Sequence, residues 1–366
     1  MKPIILQGNA LDTLRTRPDR SIQCVVTSPP YWGLRDYGTT LVIWPGTQPL
    51  CSGKHNWKNN FCTWCNAWLG SLGLEPYPEM YVMHLVEIFR EVRRVLRPDG
   101  TLWLNLADTY SGSGQSWGQK RENVSAMQQG NKGTLLGLTK PPVNYRVPGL
   151  KKKDLVGIPW AVAFALRNDG WYLRSDIIWH KTNTMPESVT DRPTKSHEYI
   201  FLLTRAEDYY YDIDAIREPH KPVSLARTTR PWKGNRDAGR ITPSFGGIDS
   251  KRMCHPLGRN KRTVWMIATA GFKGKHYAAY PEEIPEICIK AGSRPGDVVM
   301  DPFAGAGTTG VVAVKLSRTP LLIELSAKYI RTIIKPRLKA AQLQDKTPVH
   351  RRRGDSMNRP AAKVIR

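Results

Sequence analysis

Short, nearly continuous apolar runs interleaved with helical patterns leave this chain few folds to adopt. IQCVVTS (22–28), GTLWLNLAD (100–108), DIIWHKT (176–182), EYIFLLTR (198–205), DVVMDPFAG (297–305) and TPLLIEL (319–325) are rich in β-branched or aromatic residues. Runs of this length and density suit strands covered on both faces. Between them, PEMYVMHLVEIFREVRRVLRPDG (78–100) sets Leu85, Ile88, Phe89, Val92, Val95 and Leu96 at helical spacing and stops at Pro-Asp-Gly. PWAVAFALRNDG (159–170), with Gly170 as its C-terminal stop, and GTTGVVAVKLS (307–317) read as two further helices. Alternating strands and helices predict an α/β, doubly wound, mostly parallel sheet.

Two strand ends carry unusual chemistry. In TSPPYWGLRDYG (27–38) two prolines close a strand they cannot extend, because each lacks an N–H and fixes φ. A Tyr-Trp pair then stands where a turn is ordinarily polar. In VVMDPFAGAGTTG (298–310) a strand ends at Asp301 and turns through Gly305 and Gly307 into a helix. Glycines there permit positive φ and close approach of a ligand to the backbone. Glu324 ends the next strand 23 residues on, where nucleotide-binding α/β folds place an acid on a ribose. The turn lacks the Gly-Lys-Ser/Thr ending of a phosphate loop. Its ligand is therefore expected to carry a ribose but to need no phosphate cradle.

Lys and Arg number 55 against 31 Asp and Glu, a net charge of +24, with twelve Trp and fourteen Tyr. That balance favours a polyanionic partner, nucleic acid first. No apolar run approaches the roughly 18 residues that span a bilayer. MKPIILQGNALDTL lacks a signal-peptide pattern, so the chain is expected in the cytoplasm, with no membrane partner. Six cysteines in a chain this long do not make a disulfide scaffold. CSGKHNWKNNFCTWC instead gathers Cys51, His55, Cys62 and Cys65. Cys-x2-Cys and Cys-x3-His are the two halves of a closed, tetrahedral zinc site, with free thiols in a loop as the alternative.

DPFAGAGTT resembles the S-adenosylmethionine-binding motif of DNA amino methyltransferases, and TSPPYW resembles their catalytic motif of Ser, Asp or Asn before Pro-Pro-aromatic. The catalytic motif comes first and the cofactor motif last, an order similar to the β class, which includes N4-cytosine and N6-adenine enzymes. The resemblance spans most of residues 4–335. WHKTNTMPESVTDRPTKSHEYIFLLTR (179–205) and HYAAYPEEIPEICI (276–289) resemble further family blocks, and GNALDTL (8–14) an N-terminal segment that often reads Gly-Asp, with Asn9 in place of the Asp.

The resemblance implies a circularly permuted methyltransferase fold with a zinc-knuckle-like insertion and a target-recognition insertion. Residues 1–39 and 76–205 would form the catalytic part, 40–75 the Cys/His insertion, 206–275 the target-recognition region, 276–340 the cofactor part and 341–366 a basic tail. It also implies transfer of a methyl group to the exocyclic amine of a flipped-out base in double-stranded DNA. That amine is a poor nucleophile, because its lone pair is delocalised into the ring. The Ser28 hydroxyl and the Pro29 carbonyl suit it as acceptors, Pro30 stiffens the turn, and Tyr31 is placed to stack on the base. Asn9, Asp301, Pro302, Phe303, Gly305, Gly307, Thr308, Thr309 and Glu324 fall on the cofactor side, and Trp32, Lys181, Asn183 and Arg192 on the substrate side. Ser rather than Asp before Pro-Pro favours N4-cytosine, with N6-adenine as the alternative and an inactive zinc-containing DNA-binding protein as the reading from another class. C5-cytosine methylation needs a Cys nucleophile, which the family performing it places directly after a proline, and no Pro-Cys pair occurs in this chain. Basic, Trp-containing RTTRPWKGNRDAGR and KRMCHPLGRNKRTVW are expected to face DNA. His180 and His197 fit structural or DNA-backbone roles better than catalysis, since this reaction needs no histidine base. The expected assembly is a monomer or homodimer, with a cognate restriction endonuclease or none.

Overall fold

The computed structural model describes residues 2–33, 39–46, 48–49, 51–52, 54–111, 149–228, 254–269 and 280–346. Its strands are β1 (Ile4–Gln7), β2 (Ile22–Thr27), β3 (Val42–Trp44), β4 (Trp57–Lys58), β5 (Phe61–Cys62) and β6 (Trp68–Gly70) in the first part of the chain. There follow β7 (Leu96–Leu106), β8 (Tyr172–His180), β9 (His197–Thr204), β10 (Val264–Met266), β11 (Val298–Asp301) and β12 (Thr319–Glu324). Eight of them form one sheet in the order β1-β12-β11-β2-β7-β9-β8-β10. From β1 through β7 every neighbour is parallel, β9 is antiparallel to both β7 and β8, and β10 is parallel to β8. The remaining four make a small antiparallel sheet in the order β3-β6-β5-β4.

Every residue of β2 is buried, as its nearly continuous apolar run requires of a central strand. Val25 packs with Leu102, Met300 and the buried faces of α1 (Ala10–Arg15), α2 (Pro78–Val95) and α3 (Ile158–Asn168). Cys24 and Val26 point the other way, into a cluster with Trp103, Val299 and Cys288 of α4 (Glu283–Gly292). Val312 of α5 (Thr308–Lys315) joins that second cluster, and α6 (Lys335–Lys346) packs outside α5. The doubly wound, mostly parallel sheet read from the sequence is therefore present, with helices on both faces. Among the described residues no helix is long and apolar enough to cross a membrane.

Two local readings are corrected. The helix at 78–100 ends at Val95, and Pro98-Asp99-Gly100 lies inside β7. Pro98 disfavours the helical region for the residue before it, so the break acts upstream of the motif. The extra residues are absorbed where the β2–β7 register jumps from Ile22↔Leu96 to Cys24↔Thr101. Secondly, the 206–275 segment lends β10 to the main sheet, where Trp265 is 4% exposed, so that tryptophan is core rather than DNA-facing. The polar look of the segment hid a strand of only three residues. Arg259 and Lys261 beside it are paired with Glu218. The 40–75 segment carries the small sheet, its β4–β5 hairpin turning through Asn59 and Asn60 at positive φ. The stretches 112–148, 229–253, 270–279 and 347–366, including most of RTTRPWKGNRDAGR and of the basic tail, lie outside the described residues.

Gly292 sits where α4 meets the sheet. A Cβ there would stand 2.4 Å from Thr101 Oγ1 and 3.0 Å from Cys24 Sγ and from Trp103 Nε1. Gly292→Ala is expected to destabilise the protein by about 1–3 kcal/mol through overpacking, read as a lower urea midpoint at unchanged slope.

Candidate active site

Neighbouring parallel strands β11 and β2 end side by side, and there a buried carboxylate joins them. Asp301 is 2% exposed, and its Oδ1 accepts from Thr27 Oγ1 at 2.6 Å and from the Phe303 N–H at 3.0 Å. Its Oδ2 accepts from Thr309 Oγ1 at 2.8 Å and from Tyr280 Oη at 3.3 Å. Burial pushes the carboxyl above its ordinary value, against the pull of these donors. Beyond Asp301 the chain turns at Gly305 (φ 51°) and Gly307 (φ 74°), both left-handed. The Gly305 N–H reaches Glu324 Oε2 at 2.8 Å, and the Ser326 N–H reaches Oε1 at 2.8 Å. Burial raises Glu324 as well.

One cavity of about 450 Å³ spans both motifs, within the ~300–1,000 Å³ usual for ligand sites. Ser28, Pro29, Pro30 and Tyr31 line one side, and Pro302, Phe303, Gly305, Thr308 and Glu324 another, with Asn9 and Lys181 also on its wall. The two motifs, some 270 residues apart in sequence, thus face a single space. Asn9 reaches it while capping α1, its Oδ1 accepting from Leu11 N–H at 2.8 Å and Asp12 N–H at 3.4 Å. Gly307 and Thr309 are not among the residues that line this cavity. A Cβ on Gly307 would stand 3.2 Å from Ile334 Cγ2, and Thr309 is fully buried behind Asp301, its Oγ1 also 3.1 Å from the Val26 carbonyl oxygen.

On the Pro-Pro side, five polar groups lock together. Ser28 Oγ donates to Tyr31 Oη at 3.0 Å, and Tyr31 Oη lies 2.8 Å from Glu198 Oε2 and 3.0 Å from Asn105 Oδ1. Asn105 Nδ2 donates to Glu198 Oε2 at 3.0 Å, and Lys181 Nζ to Glu198 Oε1 at 2.5 Å. Burial first, then the Glu198 charge, holds the Tyr31 phenol well above its ordinary value, so it stays a donor. The ring is thereby fixed as part of the cavity wall. The Pro30 carbonyl accepts from Tyr81 Oη at 2.8 Å, whereas among the described residues none donates to the Pro29 carbonyl. Glu198 and Asn105 were not singled out in the sequence. Their signal was a charge or an amide embedded in an otherwise apolar strand, a placement that calls for a partner.

Three expected substrate contacts stand elsewhere. Trp32 is 4% exposed and donates Nε1–H to the Glu75 carbonyl at 2.9 Å, so it packs in the core. Asn183 bonds the Thr269 backbone in both directions, Nδ2 to the carbonyl at 3.0 Å and Oδ1 from the N–H at 2.7 Å, and does not line the cavity. Arg192 pairs with Glu187 at 2.7 Å and covers the Tyr110 ring at 4.0 Å, also off the cavity wall. An isolated sequence cannot distinguish a polar side chain aimed at a ligand from one stapling two loops.

In the small sheet, the ligand atoms of Cys51, His55, Cys62 and Cys65 all lie within 4.8 Å of one another. Cys51 Sγ is 3.8 Å from Cys62 Sγ, and Cys65 Sγ is 3.5 Å from His55 Nδ1. A tetrahedron with zinc–sulfur bonds of ~2.3 Å has edges of ~3.8 Å, and the shorter zinc–nitrogen bond contracts the mixed edge. The Cys51–Cys62 and Cys65–His55 distances match such edges. Burial alone would raise the Cys62 thiol, but the backbone N–H groups of Cys65 and Trp64 and the His55 side chain bring it to about 5.

A family model described as DNA methylase matches residues 22–335. The type II methyltransferase M.SmaI of Serratia marcescens is 40% identical over 328 residues, which cover 89% of this chain and 87% of that protein. Among solved structures, a DNA modification methylase of Thermus thermophilus, TTHA0409, complexed with S-adenosyl-L-methionine, has a TM-score of 0.51 at 21% identity, covering 93% of this chain and 94% of that one. The PvuII DNA methyltransferase (cytosine-N4-specific) also has a TM-score of 0.51, at 16% identity, covering 93% and 91%. These two structures share the fold described above.

Asp301→Ala would leave buried donors from Thr27, Phe303 and Thr309 without their acceptor. Chemical denaturation is expected to show a loss of at least about 1–3 kcal/mol, in addition to any loss of ligand binding.

Proposed function

Because the chain belongs to the DNA methylase family, whose model matches residues 22–335, we propose that it transfers a methyl group from S-adenosyl-L-methionine to the N4 amine of cytosine in duplex DNA. The observation that carries this reading is one cavity bounded both by Ser28-Pro29-Pro30-Tyr31 and by the Asp301–Gly305–Glu324 turn. The order of the motifs along the chain, catalytic strand β2 before cofactor strand β11, supports the permuted β class. Ser28 favours cytosine over adenine, and the PvuII enzyme, named as cytosine-N4-specific, has the same fold.

The residues present fit the cofactor. Glu324 keeps carboxylate lone pairs beyond its two backbone donors and can accept from ribose hydroxyls. Pro302 and Phe303 add apolar wall, and the turn carries no cation of the kind a phosphate would call for. The bound cofactor would supply an electrophilic methyl group on a sulfonium. This chain's part is positioning. Ser28 Oγ and the Pro29 carbonyl accept the two N–H groups of the target amine, favouring a more tetrahedral nitrogen with its lone pair turned away from the ring. Tyr31, held by Ser28, Asn105 and Glu198, keeps that edge rigid while the base lies against its ring. A base inside a duplex is out of reach of such a cavity, so the target nucleotide is flipped out, and the +24 charge provides the attraction to the phosphate backbone.

The Cys51, His55, Cys62 and Cys65 cluster would hold one structural zinc, ordering the 40–75 segment. Neither proposal needs a cognate nuclease.

Two measurements test these assignments. Nucleoside mass spectrometry of treated duplex DNA is expected to show N4-methylcytosine. N6-methyladenine alone would transfer the same site to the adenine reading, and Ser28→Ala is expected to lower turnover by about 10²-fold or more. Metal analysis of purified protein is expected to give close to one zinc per chain, falling in Cys62→Ser. Well under one in the wild type refutes the metal site.

A further inference from the structure

Between the Cys/His cluster and the Pro-Pro loop lies a buried acid–imidazole pair that the reaction does not use. The Glu75 side chain is fully buried, and its Oε1 is 2.9 Å from His84 Nδ1, itself almost wholly enclosed. The two groups are thus within hydrogen-bond distance of each other. Burying such a pair is costly and by itself gives little stability, so its retention asks for another explanation.

Its surroundings supply one. On one side the His84 ring stacks on Trp44, with centroids 4.2 Å apart, and on Trp68, at 5.7 Å. These tryptophans are cross-strand partners in the small sheet, and Ala67, next to Trp68, accepts the Cys62 N–H at 2.8 Å. On the other side, Glu75 Oε2 accepts the Gly73 N–H at 2.8 Å, and the Gly73 carbonyl accepts the Gly33 N–H at 2.9 Å. The Glu75 carbonyl accepts Trp32 Nε1–H at 2.9 Å. Tyr81, one helical turn before His84 on α2, donates to the Pro30 carbonyl. Gly73, at φ +93°, lies so close that a Cβ would stand 3.0 Å from the Tyr31 carbonyl oxygen.

We propose that Glu75 and His84 are positioning residues for the Ser28–Gly33 loop, through which the small Cys/His sheet serves as the backing against which that loop is held. The pair touches no cavity ligand and acts only by fixing the backbone that presents Ser28 and the Pro29 carbonyl. Oε1 and Oε2 of Glu75 are shared between the two sides, so one carboxylate sets the distance between the sheet and the loop.

The inference rests on the methyltransfer reading for its kinetic arm only. Glu75→Ala is expected to cut kcat for methylation of duplex DNA by about tenfold or more while leaving the Kd for S-adenosyl-L-methionine within about twofold, because the Asp301–Glu324 rim is untouched. Amide hydrogen exchange of the peptide covering residues 28–33 should quicken in the same variant. Glu75→Gln can still accept from Gly73 and donate to an unprotonated His84 Nδ1, so it is expected to restore slow exchange and most of kcat. Unchanged kcat and exchange in Glu75→Ala would overturn the proposal. So would a parallel fall of cofactor affinity, kcat and melting temperature in both Glu75 variants, which is the mark of a merely structural pair. If Glu75→Ala does not fold, His84→Gln, which leaves the carboxylate in place, decides by the same readouts. If the wild type methylates no DNA, the functional reading fails, and the exchange measurement still decides this one.

Discussion

The site depends on Asp301, a buried carboxylate holding together two strand ends from opposite parts of the chain. Its Oδ1 takes the hydroxyl of Thr27 at the end of β2, and its Oδ2 takes the hydroxyl that opens α5. Left unpaired in so dry a place, the carboxylate would be prohibitively costly. With four donors it fixes where the Gly-rich turn starts relative to Ser28, one residue past Thr27. The geometry of the cavity follows from that join. Glu324 can close on Gly305 only because the turn leaves β11 in one direction, and Ser28 faces the same space only because β2 ends level with β11.

Much of this was legible without coordinates. The six apolar runs read as strands all are strands, because burial on both faces leaves a signal that needs no partner to be seen. The Gly-rich turn and the Pro-Pro turn were legible for a related reason, since each calls for a backbone geometry that few residues allow. Less visible were elements whose definition lies in a partner. Three-residue β10 is a strand only because β8 is beside it, and β3–β6 exist as a sheet around a Cys/His cluster whose spacing was readable but whose scaffold was not. Pro98 misled in the other direction, as the break it causes falls before it and the register jump against β2 absorbs the excess.

The side chains followed the same division. Ser28, Pro29, Pro30, Tyr31 and Glu324 reach the cavity because their backbone places them there, and backbone placement is what a motif encodes. Asn183, Arg192 and Trp32 share the residue types of a DNA-binding surface but are engaged by Thr269, Glu187 with Tyr110, and Glu75. Glu198, Asn105 and Glu75 do much of the holding and sat unremarked inside apolar segments. A polar residue in a buried run is thus a better pointer to an organised site than a polar residue in a polar loop, because only the first is obliged to find a partner.

The strand order β1-β12-β11-β2 has a consequence for synthesis on the ribosome. The two earliest strands are not neighbours. The gap between them is filled only when β11 and β12, near the far end of the described chain, arrive. Until then β2 offers an open, largely apolar edge with no parallel partner on that side, and the cavity has a catalytic rim facing nothing. Closing it is a contact of very long sequence separation, the kind that folds slowly and leaves edges exposed meanwhile. A nascent chain would therefore carry a complete Pro-Pro loop for most of its synthesis and become competent to hold a ligand only as its last sheet strands slot in.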